Sequence, residues 1–359
     1  MDELVPDGQG IALAMLYVLG NSFIFGLGRR AGADLWLAFL LAVAAALPIL
    51  LLNIRLRRIL PGTTLWEGLG NLVGKWPSRF IAMYYAFYAW RLSCLVTTDI
   101  TRFISAVSLE NTPSLILALM LVLLALWAVK AGIEVLARWS AVALKFMLPL
   151  IFITNLLVLT EVDLGTFLPF LYHGFGPVAM GALELLDFPL LSLVLVFWAF
   201  DSFKNEDSVT KIFVPGLLIG GFILMSILCS ALAVVGVDKY MGSYFPAYIA
   251  VSRINIARFL SRLEASVGIP FLVGSFLKLS VCLLVACKGL AWSLGFTDYR
   301  FLVTPLALGI IAGSQWFTKD LMELYVSATK MLHPLDVSAQ VIIPVVLWII
   351  AEIKKPARE

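Results

Sequence analysis

The sequence predicts an all-α polytopic membrane protein with ten transmembrane helices arranged as a five-plus-five inverted repeat. Hydrophobic residues make up 61% of the 359 residues and charged residues 14%, against about 45–50% and about 25% in soluble domains. Such a chain has too little polar surface to cover a water-soluble globule, which excludes a cytosolic enzyme, a nucleic-acid-binding protein and a disordered protein. Two further observations predict the repeat: the number of long apolar runs, and helix breakers in the first and sixth of them.

Ten runs are apolar and, at about 20 residues, long enough to cross ~30 Å of hydrocarbon. They lie at 11–28, 35–52, 80–107, 113–129, 138–160, 177–200, 212–237, 266–290, 301–318 and 335–352. We interpret residues 1–359 as one transmembrane domain, with 9–160 (spans 1–5) as the first repeat and 177–352 (spans 6–10) as the second. Between spans 7 and 8, residues 245–263 place apolar side chains on one helical face and Arg258 and Arg262 on the other, which predicts a helix lying in the membrane interface.

The distribution of lysine and arginine predicts that both termini are cytoplasmic. This orientation puts the basic residues Arg55, Arg57, Arg58 and Lys75 on the cytoplasmic side, where they anchor that face of the protein.

Metal and cofactor chemistry is not indicated. The two histidines stand in separate connecting segments, and the four cysteines lie inside apolar runs without CxxC spacing. The sequence therefore predicts neither a metal site nor a bound cofactor.

Helix breakers occupy matching places in spans 1 and 6. Span 1 contains Gly20-Asn21-Ser22, and span 6 contains Asp187, Phe188 and Pro189. Glycine tolerates non-helical dihedral angles, and proline removes an amide from the helical ladder. In inverted-repeat transporters the first helix of each repeat is discontinuous and binds the substrate near the membrane midplane.

A broken span 1 would offer free amides to a carboxylate, and a broken span 6 would offer a free carbonyl to an ammonium. An amino acid zwitterion carries both groups. In the alternative interpretation, the glycines are packing contacts between helices and the proline only bends its helix.

Several short motifs resemble, in the same order along nearly the whole chain, the B subunit of Ger-type spore germination receptors. The motifs are Gln9-Gly10, Asn111-Thr112-Pro113, Gly132-Ile133-Glu134-Val135-Leu136-Ala137-Arg138, Leu168-Pro169 and Arg262-Leu263-Glu264. That family belongs to the amino acid–polyamine–organocation (APC, LeuT-like) transporter superfamily. The resemblance implies its fold, with ten helices in two inverted repeats and helices 1 and 6 discontinuous.

The resemblance also implies a function. It indicates a sensor of a small germinant, often an amino acid, in the inner membrane of a dormant spore. Two partners are implied with it: a larger A-type membrane subunit and a C-type lipoprotein.

By the same resemblance, a pocket would form between spans 1, 3, 6 and 8. Its lining residues would be Gly20, Asn21, Ser22, Tyr88, Asp187, Phe188, Leu277 and Lys278. The Tyr88 hydroxyl would either bind a ligand carboxylate or belong to an aromatic side chain packed in the core.

Five ionisable side chains inside the spans are candidates for proton or cation coupling, because a charge at the bilayer centre costs about 2.5–3.5 kcal/mol. They are Arg91, Lys145, Glu184, Asp187 and Lys278. Lys145 resembles the span-5 lysine of proton-coupled members of the superfamily, but it is also near enough to a membrane surface for its ammonium to reach water. Asp187 would pair with Lys278, with Arg91 or with a cationic ligand. Asp99 and Arg102 are expected to form a structural pair.

Two functions remain open from the sequence. In the first, the protein is a receptor subunit whose states shift on ligand binding. In the second, it is an autonomous proton-coupled amino acid permease with Lys145 as its switch. An enzymatic function is not indicated, because the sequence has no phosphate-binding loop, zinc spacing or convergent catalytic group.

Overall fold

The computed structural model describes residues 4–60, 64–200, 202–203, 207–254, 265–316 and 334–354. Its helices are α1 (Asp7–Leu19), α2 (Leu35–Ile59), α3 (Leu65–Val73), α4 (Lys75–Val107), α5 (Ser114–Ala131), α6 (Ile133–Val158), α7 (Phe175–Leu185), α8 (Val194–Ala199), α9 (Ser208–Val235), α10 (Val237–Gly242), α11 (Pro246–Ser252), α12 (Ala265–Leu294), α13 (Arg300–Trp316), α14 (Pro334–Val337) and α15 (Ile343–Lys354). Two strands, β1 (Leu4–Val5) and β2 (Ser202–Phe203), pair in parallel, with Leu4 opposite Ser202 and Val5 opposite Phe203.

Short 3₁₀ and π segments complete the helical framework. The 3₁₀ segments are Arg29–Asp34, Leu159–Glu161, Leu164–Phe167 and Leu191–Leu193, and the π segments are Leu186–Leu190 and Ser338–Ile342. The described chain is thus nearly all helical, as the sequence predicts.

Seven helical stretches in the described part are long and apolar enough to cross a membrane: Arg29–Ile59, Ser114–Ala131, Ile133–Glu161, Phe175–Ala199, Ser208–Val235, Ala265–Leu294 and Pro334–Lys354. They coincide with predicted spans 2, 4, 5, 6, 7, 8 and 10, and they make the protein a multi-pass membrane protein. Predicted spans 1, 3 and 9 correspond to α1, α4 and α13. The first is 13 residues long, the second is 33 residues long but contains several charges, and the third is 17 residues long.

Predicted spans 1 and 6 both contain non-helical backbone. α1 ends at Leu19, and residues 20–28 form turns where the sequence predicts continuation of span 1 to residue 28. In the stretch Phe175–Ala199, Phe188 has extended backbone angles (φ −139°, ψ 121°). Both lie where the sequence carries its helix breakers.

The connection between α9 and α12 contains two short helices, α10 and α11. The predicted interfacial helix at 245–263 begins as α11, and its residues 255–263 lie outside the described part of the chain, as does the motif Arg262-Leu263-Glu264.

The helices form an inner set wrapped by an outer set. α1 and α12 are buried along most of their length, and α1 packs on α6, α9 and α12 while α12 packs on α4. α5, α6 and α15 each bury one narrow face and expose the rest, including Trp127 and Phe146, each 75% exposed. These helices therefore expose many large apolar side chains, which suits contact with lipid.

Close packing of α1 on α9 depends on small residues. A Cβ atom on Gly216 would lie 2.5 Å from the Cβ of Ala14, and one on Gly220 would lie 3.3 Å from the Cα of Met15. Glycine at these positions lets the two backbones approach, as is common between membrane helices.

We expect Gly216→Leu to separate α1 from α9 and to lower the free energy of unfolding by about 1–3 kcal/mol, the usual cost of overpacking. The thermal midpoint of the purified protein in detergent measures the effect. Gly8→Leu is the matched control, because Gly8 lies in α1 and a Cβ atom added there would have no described neighbour within 4 Å. Equal midpoints for the two variants would contradict this account of the contact.

Candidate ligand-binding site

The end of α1 lies against α12 at a contact between two glycines. Gly20 has φ +28°, a conformation that residues with a Cβ rarely adopt. A Cβ on Gly274 would lie 3.0 Å from the Gly20 carbonyl oxygen, and a Cβ on Gly20 would lie 2.9 Å from the Lys278 Cδ. The backbone after α1 is therefore held directly against the side of α12.

The two residues after Gly20 are polar and almost completely buried. Asn21 is 1% exposed and Ser22 is 0% exposed. The Asn21 Nδ2 donates a hydrogen bond of 2.5 Å to the Asp99 carboxylate on α4. The Asn21 Oδ1 and the hydroxyls of Ser22 and Ser275 have no hydrogen-bond partner among the described residues. Unpaired buried polar atoms are costly and uncommon, so this cluster is the candidate ligand site.

Lys278 on α12 is the most unusual side chain of the cluster. It is 0% exposed, and its Nζ has no hydrogen-bond partner within the described ranges. The Nζ lies 3.8 Å from the centre of the Phe188 ring and 5.2 Å from that of Tyr17. The aromatic faces and the charge of Asp99 partly offset the loss of water around this ammonium.

The second region of non-helical backbone is connected to α4 by Gln340, which lies in the π segment between α14 and α15. The Gln340 Nε2 donates to the Tyr88 hydroxyl at 2.8 Å and to the Asp187 carbonyl at 3.1 Å. Gln340 is 2% exposed. The Oε1 of Gln340 and the Oδ1 of Asp187 are acceptors without a partner in the described part of the chain.

An ion pair lies next to these acceptors. The Arg91 Nη2 of α4 lies 2.5 Å from the Asp336 Oδ1 of α14, with the side chains 14% and 16% exposed. The charges of both Arg91 and Asp336 also act on Asp187. Two carboxylates therefore depend on one guanidinium.

The candidate residues from the sequence fall into two groups. Gly20, Asn21, Ser22, Phe188 and Lys278 come together in one buried cluster, and Tyr88 and Asp187 join it through Gln340. Leu277 is buried beside Lys278 on α12.

The other candidates lie elsewhere or have other partners. Lys145 is exposed on the surface of α6 and lies outside the buried cluster. Glu184 pairs with Arg30 at 3.0 Å. Of the pairs suggested by the sequence, Arg91 with Asp187 is replaced by Arg91 with Asp336. Asp99 accepts a hydrogen bond from Asn21, and its expected pair with Arg102 stays a prediction.

Sequence analysis did not identify Tyr17, Gln340 or Asp336 as part of the site. Gln340 did carry a signal, because an uncharged amide in an apolar span needs a hydrogen-bond partner. Among the described residues there is also no group of three or more histidine, cysteine, aspartate or glutamate side chains that could hold a metal ion.

Residues 5–320 match the model of a protein family described as spore germination protein. The chain belongs to this family. It is 25% identical over 356 residues to Spore germination protein KB of Bacillus subtilis (strain 168), in a match that covers 98% of this chain and 95% of that protein. It is 21% identical to the putative spore germination protein YfkT of the same organism, over 96% of both chains.

The fold is similar to that of solved transporters. A Na⁺-coupled sialic acid symporter superposes with a TM-score of 0.67 and 9% identity, over 93% of this chain and 79% of the symporter. MhsT in complex with L-phenylalanine superposes with a TM-score of 0.63 and 13% identity, over 98% of this chain and 89% of MhsT. The chain thus has the LeuT-like fold of these transporters.

We expect Asn21→Leu to lower the free energy of unfolding by about 1.5–3 kcal/mol, because the buried Asp99 carboxylate loses its hydrogen-bond donor. Chemical or thermal unfolding of the purified protein measures the change. Asn53→Leu is the control: Asn53 is also buried, but among the described residues it donates only to the Ile49 carbonyl of its own helix. If Asn21→Leu lowers the free energy of unfolding no more than Asn53→Leu does, the hydrogen bond to Asp99 does not stabilise the protein.

Proposed function

We propose that this protein is the B subunit of a nutrient germinant receptor and binds a small germinant, an amino acid, in a transporter-like pocket at the membrane midplane. The observation that carries the proposal is the meeting of two regions of non-helical backbone with Lys278 and several polar atoms that have no described partner, in a site closed to solvent. Membership in the spore germination protein family supports the biological setting.

The proposed architecture has ten spans, with α1, α4 and α13 added to the seven long apolar stretches. Spans 1–5 (9–160) and spans 6–10 (177–352) form the two inverted repeats, and spans 1 and 6 are the discontinuous helices. The turns after Leu19 and the extended backbone at Phe188 support this assignment.

The polar atoms of the site match the two ends of a zwitterion. The Lys278 ammonium and the hydroxyls of Ser22 and Ser275 are donors for a carboxylate. The Oδ1 of Asp187 and the Oε1 of Gln340 are acceptors for an ammonium. Tyr88 accepts a hydrogen bond from Gln340 and keeps its own proton for a further acceptor. Leu277 and Phe188 supply apolar contact.

The signal in this proposal is a change in population between two states. A ligand can shift the equilibrium between the two states only by the ratio of its affinities for them. An A-type membrane subunit relays the shift, and a C-type lipoprotein completes the receptor in the spore inner membrane, with both termini of this subunit cytoplasmic.

An autonomous proton-coupled amino acid permease is the second candidate, favoured by the similarity of the fold to transporters. The exposure of Lys145 weighs against the version in which that lysine is the switch. Proteoliposomes with a pH gradient separate the two functions: a permease accumulates labelled amino acids, and a receptor subunit does not.

The proposed function is tested with Lys278→Met. We expect this variant to remain folded, because methionine preserves the side-chain volume and removes a buried ammonium that lacks a described hydrogen-bond partner. It should lose the thermal shift that zwitterionic amino acids give the wild-type protein. Spores carrying it should fail to germinate with the corresponding nutrient.

Lys288→Met is the matched control on the same helix. The Lys288 Nζ donates to the Ala199 carbonyl at the end of α8, at 3.0 Å, so its loss should destabilise the protein by about 1–3 kcal/mol. Thermal unfolding and a ligand screen on both variants give the comparison. A Lys278→Met protein that responds to the same amino acid with unchanged affinity would remove Lys278 from the site, and no response of the wild-type protein to any amino acid would end the proposed function.

A further inference from the structure

A long apolar groove lies on the outer surface of the bundle, between α15 on one side and α3 and α4 on the other. Its volume is about 530 Å³, and its walls come from the end of α3, the start of α4, the π segment Ser338–Ile342 and α15. Ile342 and Val346 form part of the wall and are 53% and 48% exposed, so the groove is open along its side. An apolar groove left empty forfeits the packing contacts of its walls, which favours a hydrocarbon occupant.

The groove has the length of one leaflet of a bilayer. Its lining residues on the π segment and α15 run from Ile342 to Lys354. At a helical rise of 1.5 Å per residue this distance is about 18 Å, close to half of the ~30 Å hydrocarbon core. A single acyl chain of a phospholipid therefore matches the groove in length.

One end of the groove carries a positive charge. Among the described residues that line it, Lys354 is the charged one, and it lies in the last turn of α15. The Lys354 Nζ donates to the Leu72 carbonyl near the end of α3, at 2.7 Å. A lysine ammonium has three N–H groups, so it can serve a further acceptor while this bond holds it at the end of the groove.

The surroundings of Lys354 suit the headgroup level of a membrane. The acid two residues before it, Glu352, is paired with Arg55 at 2.8 Å. Lys75, an exposed second cation, begins α4 two residues before Pro77 of the groove wall. Trp76 is 70% exposed, and exposed tryptophan is typical of the boundary between membrane and water. This end of the groove therefore combines positive charge with an interfacial aromatic side chain.

We propose that the groove binds one anionic phospholipid of the surrounding membrane, with an acyl chain along α15 and the phosphate on Lys354. Apolar contact alone accepts any phospholipid, and the ammonium selects those with a net negative charge. The site lies outside the cluster around Lys278, and the inference does not depend on the proposed function.

The test compares dioleoylphosphatidylglycerol with dioleoylphosphatidylcholine, which have the same acyl chains and differ in net charge. Native mass spectrometry of the purified full-length protein, titrated with each lipid, measures the dissociation constant of the first bound molecule. We expect the wild-type protein to bind the phosphatidylglycerol about fivefold or more tightly, the effect of one basic residue close to an anionic lipid.

Lys354→Met removes the charge and keeps an apolar stem of similar length, so it should abolish this preference. Lys354→Arg keeps a cation at the end of the groove and should retain most of it. Lys130→Met is the matched control, because Lys130 is also an exposed lysine in the last turn of a spanning helix, α5. It should keep the wild-type preference.

Val346→Trp tests the position of the acyl chain, because an indole at this position fills the groove. It should weaken the binding of the phosphatidylglycerol about fivefold or more. Val142→Trp is its control, since Val142 is 55% exposed on α6 and does not line the groove. The thermal midpoint of each variant establishes that it is folded.

Three results would each overturn the lipid site. They are equal binding of the two lipids to the wild-type protein, an unchanged preference in Lys354→Met, and wild-type affinity for the phosphatidylglycerol in Val346→Trp. None of them bears on the response to amino acids, so the proposed function is tested separately.

Discussion

The fold has to enclose several polar groups at one place. They are the Lys278 ammonium, the turn after α1 and the non-helical backbone at Phe188. In a bilayer, main-chain groups without a helical partner have to be satisfied inside the protein. Here the turn after α1 lies against α12, and Asn21 and Gln340 bridge to neighbouring helices. The wall of long helices around α1 and α12 holds these groups in contact with each other.

That arrangement also explains why α12 buries polar side chains in a membrane-spanning helix. α12 runs through the interior and contains Ser275, Lys278 and Lys288, all buried. Lys288 is anchored on a helix end, and Lys278 lies between aromatic rings. Two lysines ten positions apart on one helix therefore have different tasks, one structural and one at the candidate site.

The nearly all-helical, membrane-spanning fold could be predicted from the sequence, because long apolar segments cross a bilayer as helices. The positions of Gly20-Asn21-Ser22 and Asp187-Phe188-Pro189 predicted the places where regular helix is lost. The sequence could not show that Lys145 is exposed whereas Lys278 is buried. The lipid-facing and inward-facing surfaces of a membrane helix are equally apolar, so periodicity does not show which way a lysine points. Pairings such as Asn21 with Asp99 and Arg91 with Asp336 join residues far apart in the chain, and only tertiary packing reveals them.

The pairing of β1 with β2 has a mechanical consequence. β1 immediately precedes α1, and β2 follows α8, so main-chain bonds fasten together the far ends of the two helical pieces whose near ends border the buried cluster. If α1 tilts, the hydrogen bonds between β1 and β2 transmit the movement to α8. The first helix and the second half of the sixth stretch are therefore joined at their far ends by the paired strands.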